Sequence, residues 1–180
     1  MHHGIKGQKW GVRRYQNKDG SLTPAGKKRL AKNEAYRDKL ANKAQVKYER
    51  ALESAKNARQ NVKDLRKNGV NSQVYKDWKE QQDREREWKY ENDERNRVTG
   101  EDGRTYVRKY STSRTKFADD FFDSMFAKTK VQDLIDENNK AAYEYRKVAK
   151  QWTETNQKLM NMEVSALTKK GAIRLTYYGF

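Results

Sequence analysis

The chain has no cysteine, one proline (Pro24), two histidines and no long apolar run. The lack of cysteine removes disulfide scaffolds, thiolate zinc sites and cysteine nucleophiles, and fits a reducing compartment. The histidines are His2 and His3, beside the chain end, so no Ser/His/Asp or Cys/His constellation can form around a structured base. No apolar segment approaches the roughly 20 residues of a membrane span. Met1-His2-His3-Gly4-Ile5-Lys6-Gly7 also lacks the apolar stretch of a secretory signal. Large apolar side chains are scarce: Leu, Ile, Val and Phe make up 27 of 180 residues, about 15%, against the roughly 20% of a globular chain. Combined with a net charge of +16, that shortage points toward disorder.

What is present argues for order. Aromatics reach 11%, with four Trp and eleven Tyr, and Ala, Glu, Lys, Leu and Arg fill 78 positions. That is near the level of long helices and coiled coils. A narrow helical seam needs fewer aliphatics than a compact core. The expected class is therefore mainly α: an elongated long-helix or coiled-coil hairpin, with a small N-terminal β-hairpin, a mid-chain hairpin and a C-terminal strand. The charge is uneven. Residues 1–70 hold 19 basic and 6 acidic side chains, a net of +13, and the remainder is close to balanced.

Four parts follow along the chain. Residues 1–23 are rich in glycine, basic and aromatic residues, and Asp19-Gly20 reads as a turn between short strands at Val12–Tyr15 and Ser21–Thr23. Residues 24–97 hold two helices. Thr23-Pro24 supplies a hydroxyl cap and a proline in the first turn. The helix should run to Lys67, where Asn68-Gly69 forms a left-handed stop, about 66 Å in length. Its seam is Ala41, Ala44, Tyr48, Ala51, Ala55, Ala58, Val62, Leu65, in alternating steps of 3 and 4. The alternative is a solvated helix that happens to be alanine-rich. A second helix over 72–97 carries mixed charge, with Val74, Tyr75, Trp78, Trp88 and Tyr90 as anchors.

Residues 98–114 read as a hairpin or linker turning at Glu101-Asp102-Gly103, with Tyr106 and Tyr110 on one face. Residues 115–180 begin with a short apolar helix holding Phe117, Phe121, Phe122, Met125 and Phe126. These five are the candidate protein-interaction residues, either plugging the core between the helices or docking into a partner's groove; the plug is preferred. Thr129-Lys130-Val131-Gln132 has the capping-box pattern, opening a separate long helix. Its seam is Val131, Leu134, Asn138, Ala141, Tyr145, Val148, Trp152, Thr155, Leu159, Met162 and Ala166. Ala172–Tyr178 alternates and favours a strand. Two helices of matching period should pack antiparallel, within one chain or between copies. A homo-oligomer is expected, because an alanine seam against one partner buries little area.

Catalytic and metal readings are weak, so no enzyme activity, cofactor or metal is expected. Met1-His2-His3 has the donors of a square-planar Cu(II) site, but such a terminus needs no selection for metal. Asp119/Asp120/Asp123 and Asp133/Asp136/Glu137 would have to converge in a dry pocket for two-metal chemistry. Acids early in a helix already have an electrostatic reason to be there. Glu87-Trp88-Lys89 lacks the strand context of nuclease motifs, and Gly4, Gly7 and Gly11 form no phosphate loop.

One stretch has a family likeness. His2-His3-Gly4-Ile5-Lys6-Gly7-Gln8-Lys9-Trp10-Gly11-Val12-Arg13-Arg14-Tyr15-Gln16-Asn17, continuing through Asp19-Gly20-Ser21-Leu22-Thr23-Pro24-Ala25-Gly26, resembles a short N-terminal module of phage and prophage structural proteins of Gram-positive hosts. In those phages it is attached to dissimilar proteins, often encoded among head-morphogenesis genes. The likeness covers residues 2–30 and brings no catalytic residues. It implies a phage protein of the virion or its assembly, acting in the virion or host cytoplasm, with phage structural proteins as partners and no membrane.

Two functions follow as expectations. The first is a virion-associated structural or assembly protein, scaffold-like or a minor head component, acting by helical protein–protein contact. The second is a nucleic-acid-binding protein, or an anti-CRISPR-like inhibitor of a host defence nuclease that works by occlusion. For the second, Lys6, Lys9, Arg13, Arg14, Lys27, Lys28 and Arg29 are the candidate nucleic-acid-binding residues within the basic stretch 1–70. Trp10 and Tyr15 could stack on bases, although packing is preferred for Trp10. A membrane-surface role fits poorly, since the basic helix lacks a bulky apolar face.

Overall fold

The structure, a computed structural model, describes residues 14–178. It is mainly helical: α1 (Pro24–Asn68), α2 (Gln73–Asn92), α3 (Arg114–Met160) and α4 (Lys170–Tyr178). A single two-stranded antiparallel sheet pairs β1 (Arg97–Thr99) with β2 (Thr105–Val107), placing Val98 opposite Tyr106. Among the described residues no helix is long and apolar enough to cross a membrane. The chain divides into two compact units, Met1–Glu53 with Tyr145–Phe180, and Ser54–Glu144.

In the first unit the start of α1 is fixed by capping. Thr23 Oγ1 accepts the Gly26 amide at 3.0 Å and donates to the Arg14 carbonyl at 2.9 Å. A Cβ on Gly26 would lie 2.0 Å from the Tyr15 carbonyl oxygen, so the helix needs glycine at this crossing. Leu40, Ala41, Ala44, Leu159, Ile173 and Tyr177 form the core, with Tyr36, Trp152, Met162 and Val164 packed around it. α1 and α3 run antiparallel within this unit. Arg37 Nη1 donates to the Met162 carbonyl at 3.4 Å, and Asn156 Nδ2 donates to Gln45 Oε1 at 3.0 Å. Buried Asn33 donates to the carbonyls of Ser165 and Thr168, holding the loop that leads into α4.

The second unit packs Val62 and Leu65 of α1, Tyr75 of α2 and Leu134 and Ile135 of α3 into one cluster. Asn61 Nδ2 donates to Asn138 Oδ1 at 3.0 Å beside it. Gly69, at φ +55°, ends α1, and Ser72 Oγ caps α2 by accepting the Tyr75 amide.

Several sequence expectations are met and several are corrected. Of the eight α1 seam residues, all but Tyr48 are buried. Of the eleven residues in the expected second seam, Tyr145 and Val148 are exposed and the other nine are buried or half-buried, with Met162 and Ala166 lying beyond the end of α3. The alternate row lies one residue further on, at Ile135, Ala142, Ala149 and Asn156. Both rows satisfy a 3–4 spacing, and alanine wins where another helix must approach closely.

The separate apolar helix and the capping box at Thr129 are replaced by one continuous α3. No glycine or proline interrupts 114–160, so nothing stops the helix, and Ser113 Oγ caps it instead by accepting the Lys116 amide at 3.0 Å. The expected C-terminal strand is helical α4. Ile173 and Tyr177 stand four residues apart and bury together on one face, as a helix requires.

The second helix ends at Asn92, short of residue 97, because Asp93 turns to extended backbone (φ −79°, ψ 123°) and caps the next turn. Arg95 hydrogen bonds hold the Asp93 carboxyl down at about 2. Tyr106 and Tyr110 do not share a face: Tyr106 is exposed on β2, while Tyr110 is buried in the turn after it. The N-terminal hairpin is reduced, among the described residues, to one antiparallel bridge, Gln16 with Leu22, around Gly20 at φ +89°.

Candidate protein-interaction face

The first three turns of α3 are amphipathic with the usual orientation reversed. At about 100° per residue, Phe117, Phe121, Phe122, Met125 and Phe126 fill one half of the helix. Lys116, Asp119, Asp120, Asp123 and Ala127 fill the other. The polar half is the one that packs. Asp123 receives Arg86 Nη1 at 2.8 Å and Nη2 at 3.0 Å, a bidentate pair, and Lys79 Nζ at 3.1 Å. Lys79 also reaches Asp120 at 3.1 Å, and Lys116 bonds Asp120 and stands 3.6 Å from Asp83. Tyr110 Oη donates to Asp119 Oδ2 at 2.6 Å. Every one of these groups lies in the second unit.

The local sequence explains the arrangement. Lys79, Asp83 and Arg86 are spaced by 4 and 3 on α2, as are Lys116, Asp120 and Asp123 on α3. Each set forms a stripe, and the two stripes meet. The repeated 4–3 spacing of charges on the two segments is the sequence signal for this contact, which the aromatic anchors of α2 alone do not reveal. Arg86 hydrogen bonds hold the Asp123 carboxyl below the usual aspartate range against the opposing effect of burial. The Lys116 hydrogen bond does the same for Asp120. Burial, then the Asp119 bond, pushes the Tyr110 hydroxyl up.

Carboxylate oxygens of Asp83, Asp120 and Asp123 lie within 4.8 Å of one another, close enough to surround a cation. Lys79, Arg86 and Lys116 already stand among them, and among the described residues Asp83 Oδ1 is the one buried side-chain polar atom without a hydrogen bond. The cluster supplies its own counter-charge and works as an inter-helix clasp.

The apolar half is left open. Phe117 is 77% exposed and the other four residues 55–57%. The core-plug expectation is therefore corrected: the polar half of the helix meets α2, which turns the phenylalanines outward. Trp88, expected as an anchor, is likewise exposed, whereas Tyr75–Trp78 and Tyr90–Tyr110 are the aromatic pairs that pack.

Lys6, Lys9 and Arg13, with Trp10, lie outside the described residues. Arg14, Lys27 and Lys28 are exposed, and Arg29 stacks its guanidinium 4.4 Å over the Tyr15 ring. Tyr15 thus serves packing. No protein-family model matches the chain, and comparisons with curated proteins and with solved structures find no match.

Proposed function

We propose that this is a phage virion-associated structural or assembly protein acting through helical protein–protein contact, with no enzymatic step. The reading joins the N-terminal likeness to one observation, the open phenylalanine face on α3. Monomeric proteins rarely expose a contiguous apolar patch above roughly 300–600 Å². Four Phe and one Met, each more than half exposed, leave on the order of 600 Å² at roughly 200 Å² per full side chain.

The occupant that fits is a second copy of α3, running antiparallel. That alignment sets Phe117 against Phe126 and Phe121 against Phe122. It also brings exposed Arg114, on the same half of the helix, within a turn of the partner copy's exposed aspartate at position 133. Two such faces together cover about 1,200 Å², the lower end of a standard interface. The coiled-coil pairing of α1 with α3 within each unit belongs to the same proposal, supported by the alanine rows that are buried on both helices.

Light scattering at rising concentration tests it. The expected result is a mass twice that of the chain, reduced to one chain by Phe121→Ser with Phe126→Ser, whose circular dichroism stays helical. A wild-type monomer at high concentration overturns self-association. In infected cells the protein should travel with particles or their precursors; its absence from both removes the virion reading.

A further inference from the structure

The first unit holds a groove of about 1200 Å³ between α1 and α4, and its walls are strongly basic. Lys39, Lys43, Lys47 and Arg50 come from α1 and Arg174 from α4. Asp38 is the one carboxylate in the lining, and Arg37 Nε and Nη2 already hold it at 2.9 and 2.8 Å. The four α1 cations are exposed and form no ion pair among the described residues. Lys47 is instead placed 4.3 Å over the Trp152 ring, which fixes its ammonium without cancelling its charge. Steps of 4, 4 and 3 keep the four on one side of α1, in a row about 16 Å long.

We infer that this groove binds the phosphodiester backbone of a nucleic acid, without reading its bases. A row of that length is too long for one phosphate and suits several in succession. A membrane surface would require a bulky apolar face beside the cations; the groove is concave and Val46 is its one strongly exposed apolar residue. Base stacking has no free platform here. Lys170 covers the Tyr36 ring at 5.3 Å, and Tyr177 is buried against Trp152. Recognition is therefore electrostatic and indifferent to sequence. The site is separate from the phenylalanine face and does not depend on it.

Sequence reading placed nucleic-acid contact at the N-terminal cations, whereas the groove uses a later stretch of α1. Its α4 wall was unreadable, since Arg174 reaches the groove only because the last segment is a helix.

The test uses the full chain and fluorescence anisotropy with a labelled 20-nucleotide mixed-sequence single strand, across a salt series. Lys39→Gln, Lys43→Gln and Arg50→Gln together remove three contacts at exposed positions. The expected result is at least a tenfold weaker complex, with a slope of log affinity on log salt shallower by about 2. An unrelated sequence should bind equally well. The proposal is overturned if the triple variant, still helical by circular dichroism, binds like the wild type. It is also overturned if the loss appears only with Arg14, Lys27 and Lys28 replaced by Gln, or if poly-glutamate competes as well as the oligonucleotide.

Discussion

In the first unit the hydrophobic core is Leu40, Ala41, Ala44, Leu159, Ile173 and Tyr177, while Lys39, Lys43, Lys47 and Arg50 stand in solvent. In the second, α2 meets the start of α3 along Lys79, Asp83, Arg86, Lys116, Asp120 and Asp123, while four phenylalanines face outward. Charge follows the same division. Residues 1–53 and 145–180 hold 21 basic against 7 acidic side chains, a net of +14; residues 54–144 hold 20 against 18. Balanced charge lets carboxylates find cations inside the second unit. Excess charge in the first leaves lysines with no acid to pair with, so they remain available to a polyanion. A chain poor in aliphatics thus has an apolar core in each unit and adds an ionic clasp only in the second, and each unit leaves a different surface open.

The comparison breaks first at the apolar core. Ile173 is fully buried on α4, and Ile173→Ala should cost about 2–5 kcal/mol through lost burial and the cavity left behind. Thermal unfolding measures the loss. Hydrogen exchange should show the faster opening in α4 and the Leu40–Ala44 stretch of α1 before it reaches α2. If α2 opens first, the core does not belong to the first unit in the way the packing implies.

Next comes the clasp. Asp123→Asn removes the acceptor of a bidentate Arg86 pair and of Lys79, at a side chain only 10% exposed. Charged hydrogen bonds contribute about 1.5–3 kcal/mol, so a loss of roughly that size is expected. Its pH dependence separates it from a packing defect. The Asp123 carboxyl is held below the ordinary 3.8 in the folded chain, so its contribution is complete above that value and disappears as pH falls through the folded one. The stability gap between wild type and variant should close below about pH 3.8, whereas the Ile173→Ala gap should not. A pH-independent gap for Asp123→Asn removes the ionic account.

How far these features could be read from the sequence depends on what each one needs. The α1 seam was legible because alanine every 3 and 4 residues has one structural meaning on a long helix. The α3 seam was legible apart from Tyr145 and Val148, since the rows Leu134–Ala141–Val148 and Ile135–Ala142–Ala149 are equally periodic. Choosing between them requires the partner surface. The Ala172–Tyr178 segment shows the same limit: alternation at two-residue spacing and burial at four both fit Ile173 and Tyr177, and tertiary contact decides. The phenylalanines were found at once but assigned inward, because apolar residues normally face the core. Their exposure follows from the charged stripe of α2, which takes up the polar half of the helix.

The smallest expected effect sharpens the boundary of that stripe. Tyr110 is 2% exposed, stacks against Tyr90 at 5.7 Å and donates to Asp119 at 2.6 Å. Tyr110→Phe keeps the ring and removes the hydroxyl, so it should cost about 1.5 kcal/mol, the low end for a single hydrogen bond to a carboxylate. If the ring contact alone holds the turn after β2, the variant will match wild type in chemical denaturation. If the hydroxyl also anchors the first turn of α3, amides near Asp119 and Asp120 should exchange faster while those of α4 stay unchanged. Combining Tyr110→Phe with Asp123→Asn then tests whether the clasp acts as one network. Independent bonds give additive losses, whereas a shared network gives a double-variant loss that departs from the sum by at least about 0.5 kcal/mol.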